Sequence, residues 1–172
     1  VSVPPPPRPV ASPSTTPTVA PVFTSNNSAV AAATSAFDAY LRQIDAIFSA
    51  VAADPELMRS VASTTFAEEI IVFANRAREY GIHSEGHETF DGVSVVGIDE
   101  IAEGGVGVLV VDLCLDRSTS IFVDATGAVL EGPVDDPTRK NYVVSFDWKD
   151  PTNPGSVIVG SQTPLPGGTA CG

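Results

Sequence analysis

Between Ser28 and Val51, apolar residues recur three and four apart. Val30, Ala33, Phe37, Tyr40, Leu41, Ile44, Ile47, Phe48 and Val51 fall on one stripe, with Asp38, Arg42, Gln43 and Asp45 off it. That period predicts an amphipathic helix over 28–53. Asp54-Pro55 then reads as a stop and a restart, since Asp can cap a helix and Pro suits its first position. The short helix that follows, to about Ser63, turns Leu57, Met58 and Val61 inward. Thr65-x-x-Glu68 has the form of a capping box. Phe66, Ile70, Phe73, Ala74, Ala77 and Tyr80 continue as a third helical stripe, which Gly81 ends.

After Gly81 the period changes to two. Ile82–Phe90 reads as a polar, edge-like strand, broken by Gly92 and followed by Val93–Ala102. Gly104-Gly105 turns into the most strand-like run of the chain, Gly105–Asp116. Alternation puts Leu109, Val111, Leu113 and Leu115 on one face of that strand, where the helices should lie. Val108, Val110, Asp112, Cys114 and Asp116 fall on the outward face. Thr119–Val123 and Ala128–Glu131 flank an Asp124–Gly127 turn, a hairpin signal. Tyr142, Val144, Phe146 and Trp148 alternate with polar or smaller residues as a strand with a buried aromatic face, and Ser156–Ser161 is the last strand. Helices first and strands afterwards imply an α+β fold, with three N-terminal helices packed on one face of a curved, mostly antiparallel sheet. The domain spans 28–163, between a Pro/Ser/Thr-rich flexible linker at 1–27 and an irregular tail at 164–172.

Composition narrows the class of function. A formal net charge of −12 opposes a nucleic-acid partner, which needs clustered Lys and Arg, and it disfavours anionic lipid surfaces. No apolar run approaches the roughly 18 residues that span a bilayer. The chain begins at Val1, as mature secreted proteins do after cleavage, or as a trimmed chain would. Its first 25 residues contain four consecutive prolines and favour a polyproline II rod, a semi-rigid spacer or a docking peptide. Asn26-Asn27-Ser28 fits a glycosylation sequon, which matters only in a eukaryotic secretory route. The two cysteines, Cys114 and Cys171, are far apart, and in an exported chain an even count favours one disulfide between them. The alternative is a buried free thiol at Cys114 and an unrelated tail cysteine.

The pattern Val110, Asp112, Cys114, Asp116, then Ser118–Val123, the Asp124–Gly127 turn and Tyr142–Trp148, after three N-terminal helices, carries a resemblance. Over about residues 28–163 the chain resembles the nuclear transport factor 2-like, or SnoaL-like, cone-shaped α+β superfamily. More narrowly, it is similar to secreted or lipid-anchored actinobacterial members with Pro/Ser/Thr linkers. The resemblance implies a pocket between helices and sheet and frequent homodimers through the sheet. It allows a lipid anchor upstream of Val1. It does not imply one activity, since members include isomerases, dehydratases, cyclases and binding domains.

Candidate chemistry is sparse. Phe37, Tyr40, Tyr80 and Trp148 are the candidate lining of a ligand pocket. A tyrosine beside a desolvated carboxylate would suit proton abstraction next to a carbonyl. Yet Asp112 and Asp116 fall on the outward face, and Asp38 and Asp45 fall off the helical stripe. His83, Glu85 and His87 share a strand face and form a weak metal candidate, weakened by the nearly 7 Å between alternate positions and by Gly86 among them. There is no nucleophile elbow and no phosphate loop. No cofactor is expected. The resulting expectation is an exported or surface-anchored, non-enzymatic module that binds a protein or a small apolar ligand. The alternative is a SnoaL-like isomerase, dehydratase or cyclase.

Overall fold

The structure, a computed structural model, describes residues 20–132 and 136–172. The proline run and most of the expected linker therefore lie outside the described residues. Helix α1 covers Asn26–Phe48, and a box of two serines starts it. The Ser28 N–H donates to Ser25 Oγ at 3.1 Å, and the Ser25 N–H donates to Ser28 Oγ at 3.0 Å. The helix stops five residues short of the boundary that the stripe predicts. Ser49 leaves helical geometry, and its hydroxyl donates to the carbonyls of Ala46 and Val51, which shapes the turn toward Asp54. Val51, the last member of the stripe, is consequently 93% exposed.

Asp54 caps a short 3-10 helix, Pro55–Ser60, by accepting the Glu56 N–H at 3.0 Å. It buries Met58 completely but leaves Leu57 half-exposed, because a 3-10 turn cannot point both inward. Helix α2 covers Thr64–Glu79. The capping box expected at Thr65 and Glu68 does not form. Ser63 is the N-cap, its hydroxyl is turned to the Gly160 carbonyl, and Glu68 pairs with Arg59 at 2.9 Å. Gly81 ends α2 as expected: Ile82 N–H returns to Ala77 O and Gly81 N–H to Arg78 O, the pairing of a Schellman motif.

The strands are β1 (His83–Glu85), β2 (Thr89–Ile98), β3 (Leu109–Asp116), β4 (Ile121–Val123), β5 (Val129–Leu130), β6 (Arg139–Trp148) and β7 (Val157–Pro164). The expected single curved sheet with three helices on one face is overturned, and with it the nuclear transport factor 2-like architecture drawn from it. There are two antiparallel sheets, a four-stranded one in the order β2-β3-β6-β7 and a three-stranded one in the order β1-β4-β5. The helices do not gather on one face. Helix α1 crosses the larger sheet at β2, β3 and β7, whereas α2 lies on the 3-10 helix and reaches that sheet mainly at β7.

The sheets part for a local reason. β1 leads into β2 on one side and β3 into β4 on the other, and both sides leave the ladder at the same level, at residues 86–88 and 117–120. Gly86 takes a left-handed φ of +81° where any side chain would strike the Thr119 carbonyl, and Asp116 accepts the Ser118 N–H at 2.8 Å in a tight turn. The β1-β4-β5 end thus peels away as a separate flap.

The larger sheet carries the core. Leu109, Val111, Leu113 and Leu115 of β3 are fully buried, as their alternation requires, beside Val144 and Phe146 of β6 and Val159 of β7. Phe37 and Ile47 of α1 and Met58 of the 3-10 helix belong to the same buried cluster. The outward face is crossed by the tail, which Cys171 bonds to Cys114 in the expected disulfide. Asn141 holds the same tail, donating to Gly168 O at 2.7 Å and accepting the Cys171 N–H at 2.8 Å.

Candidate functional site

Two helical stripes and the flap meet at one end of the core. Tyr40, Ile44 and Phe48 stand four apart on α1, and Ile70 and Phe73 face them from α2. The flap closes the third side with Ile121, Phe122, Val129 and Leu130. Together they bound an open groove of about 800 Å³. Phe73 is 56% exposed and Val129 is 54% exposed, so the walls present apolar surface to the solvent. Phe48 meets both walls, with its ring 5.5 Å from Phe73 and edge-on to Phe122 at 5.9 Å.

The floor is polar. Glu88 and Arg117 come from the two connectors where the strands leave the ladder, and Arg117 Nε lies 3.1 Å from Glu88 Oε1. The Glu88 side chain is only 17% exposed and that of Arg117 is 42% exposed. The guanidinium sits over the Tyr142 ring, 5.7 Å from its centroid. Tyr40 donates its hydroxyl hydrogen to Gln162 Oε1 at 3.3 Å, and its ring stacks on Phe37 and Phe66.

Burial pushes the Tyr40 hydroxyl well above the usual phenol range, helped by the negative charge of Glu88. Tyr40 is therefore a neutral hydrogen-bond donor and not a base. Burial also raises the Glu88 carboxyl; Arg117 opposes that shift and Asp45 adds to it. The floor offers a carboxylate engaged by Arg117, an un-ionised phenol and a guanidinium that keeps part of its surface open.

The candidate pocket of Phe37, Tyr40, Tyr80 and Trp148 does not assemble. Tyr40 lines the groove and Phe37 lies buried beneath it. Tyr80 sits at the C-cap of α2 and is 68% exposed. Trp148 is at the opposite end of the larger sheet, stacked on Phe23 at 5.4 Å, with its Nε1–H donating to Glu100 O. The Glu100 carboxylate accepts the N–H groups of Val22 and Phe23 and so fastens the chain leading into α1.

His83, Glu85 and His87 do not converge either. His83 and Glu85 are 3.9 Å apart, but the bend at Gly86 carries His87 off the strand, where Nδ1 meets Asp45 Oδ2 at 2.9 Å. Among the described residues no group of three His, Cys, Asp or Glu is arranged to hold a metal ion. Asp112 and Asp116 lie on the outward face, Asp116 bonded to Arg139 at 2.8 Å. Glu88 and Arg117 were not singled out from the sequence. The available signal was their placement just after a predicted bend and a predicted strand end.

No known family profile matches the chain. No curated protein matches it. Among solved structures, it is similar to the intermembrane space region of the chloroplast protein ARC6, with a TM-score of 0.56 and 13% identity over 79% of this chain and 95% of that one. At that identity the likeness concerns the fold alone. Among the described residues no helix is long and apolar enough to cross a membrane.

Proposed function

We propose that this protein is an exported, non-catalytic binding module that holds a small, largely apolar ligand in the groove between α1, α2 and the β4–β5 flap. The observation that carries this reading is the convergence of exposed Phe73, Val129 and Leu130 on a groove of about 800 Å³ with a polar floor. That volume lies within the roughly 300–1,000 Å³ typical of small-molecule sites, and the mixture of apolar walls with a few polar groups is typical too. The Cys114–Cys171 disulfide supports an oxidising, exported compartment. A protein partner or a second copy seated on the outer face of the larger sheet would have to share that face with the disulfide-held tail, which favours the groove as the site.

Catalysis by proton transfer is the second reading, favoured by one observation: Glu88 is a desolvated carboxylate near the Tyr40 phenol. Against it, Glu88 is engaged by Arg117 and Tyr40 by Gln162, so neither is free to act on the other. The test uses N-phenyl-1-naphthylamine, a neutral fluorophore that brightens in apolar surroundings. The protein should enhance its fluorescence saturably, and Phe73→Glu should abolish the enhancement while the variant remains folded by circular dichroism, because more than half of the side chain is exposed. No enhancement with the unaltered protein, or an equal one with the variant, would overturn the groove reading.

A further inference from the structure

Resting on that groove reading, the geometry points to a finer property of the ligand: an apolar body ending in a single carboxylate, seated on Arg117. The guanidinium turns its Nε toward Glu88 Oε1, 3.1 Å away, and that is its one side-chain polar contact among the described residues, which leaves the two terminal nitrogens to a ligand. Those two nitrogens form the end edge of a rigid planar fork, which matches a carboxylate with two parallel N–H···O bonds. The Tyr142 ring lies 5.7 Å from the guanidinium carbon and gives the charge an aromatic neighbour. The side chain is 42% exposed, and it lines the groove that the apolar walls enclose.

A cationic head group fits less well. At the floor Glu88 already faces Arg117, so a cationic head group there would sit beside the guanidinium. A multiply charged anion fits less well too, because Glu131 and Asp136 line the same groove. One negative charge on an apolar body satisfies both the floor and the walls.

The test displaces N-phenyl-1-naphthylamine from the full chain with dodecanoate, dodecan-1-ol or dodecylammonium, each below its micelle concentration. A charge-assisted bidentate pair should let dodecanoate displace the probe at a concentration at least about tenfold lower than the alcohol needs. Arg117→Lys, which keeps the charge and loses the fork, should remove most of that preference. Equal potency of acid and alcohol, or a preference for the amine, would overturn the carboxylate assignment and leave the groove reading standing. If none of the three displaces a probe that does bind, both readings fall together. The comparison among ligands on the unaltered protein needs no variant to fold.

Discussion

Removing the cross-link between the tail and β3 should cost more than any contact the tail makes. The perturbation is Cys171→Ser, which breaks the bond and leaves Cys114 as a small buried thiol. The bond closes a loop with a sequence separation of 57 residues. In the chain-entropy account a loop of that size stabilises the fold by about 4 kcal/mol, by restricting the unfolded chain. The native tail has its own ties: Asn141 exchanges two side-chain hydrogen bonds with Gly168 and Cys171, and its carbonyl accepts the Leu165 N–H at 2.8 Å. Those bonds should keep the tail in place in the variant, so the loss belongs chiefly to the unfolded state. Urea unfolding followed by Trp148, the only tryptophan and 4% exposed, reads the change directly. The variant should lose about 4 kcal/mol, and the unaltered protein with reductant should behave like it. A loss under about 1 kcal/mol, or no effect of reductant, would refute the reasoning, because the tail would then be held by contacts alone.

Gly92→Ala places a methyl group against the Ala170 carbonyl at a residue whose φ is +65°, and should destabilise by about 1–3 kcal/mol; a double-mutant cycle by urea unfolding should show a smaller cost once Cys171→Ser lets the tail shift. Phe23→Ala removes the ring stacked on Trp148 and should cost about 1–3 kcal/mol with a red-shifted Trp148 emission; unchanged emission would mean that the segment before α1 does not pack there. The Asp116 carboxyl is held down to about 2 by the Ser118 hydroxyl and N–H and by Arg139. The stability it contributes is therefore present above the ordinary value of 3.8 and is lost as pH falls through about 2; carboxyl NMR titration should find that low midpoint, and Asp116→Asn should flatten the acid limb of stability.

Periodicity read well wherever the deciding contacts were those of a regular element. The four inner residues of β3 and the Tyr142–Trp148 face of β6 are buried as their spacing of two requires. The turn at Asp124 was legible because its chemistry is local: the carboxylate accepts the N–H groups of Thr126 and Ala128. Val51 and Tyr80 misled because each continues a stripe past the last helical turn, where a matching period no longer implies a shared face. The spacing around Asp112 and Cys114 placed both on the outward face and made the disulfide legible, yet it could not show that Asp112 Oδ1 would be covered without a hydrogen-bond partner. Glu88 and Arg117 escaped because they belong to connectors, which have no period to read. Their meeting depends on two breaks, 29 positions of chain apart at their nearest residues 88 and 117, falling at the same level of the fold.

The break that overturned the single-sheet expectation is also what opens the candidate groove. Had the ladder run on through residues 86–88 and 117–120, Glu88 and Arg117 would have been ordinary ladder positions on opposing strands, each fixed to a sheet face by alternation. Val129 and Leu130 would then have extended the same surface instead of facing α2. Because Gly86 and the Asp116–Ser118 turn release both connectors together, the acid and the base reach under the helices toward Tyr40, and β4–β5 becomes a wall. The cost is a β5 strand of only two residues, both exposed, supported on one side by β4. A two-residue edge strand with exposed apolar side chains contributes little to the core, so selection for stability alone gives no reason to keep it. Its apolar side chains face the groove, and that is the strongest physical reason to place the function there.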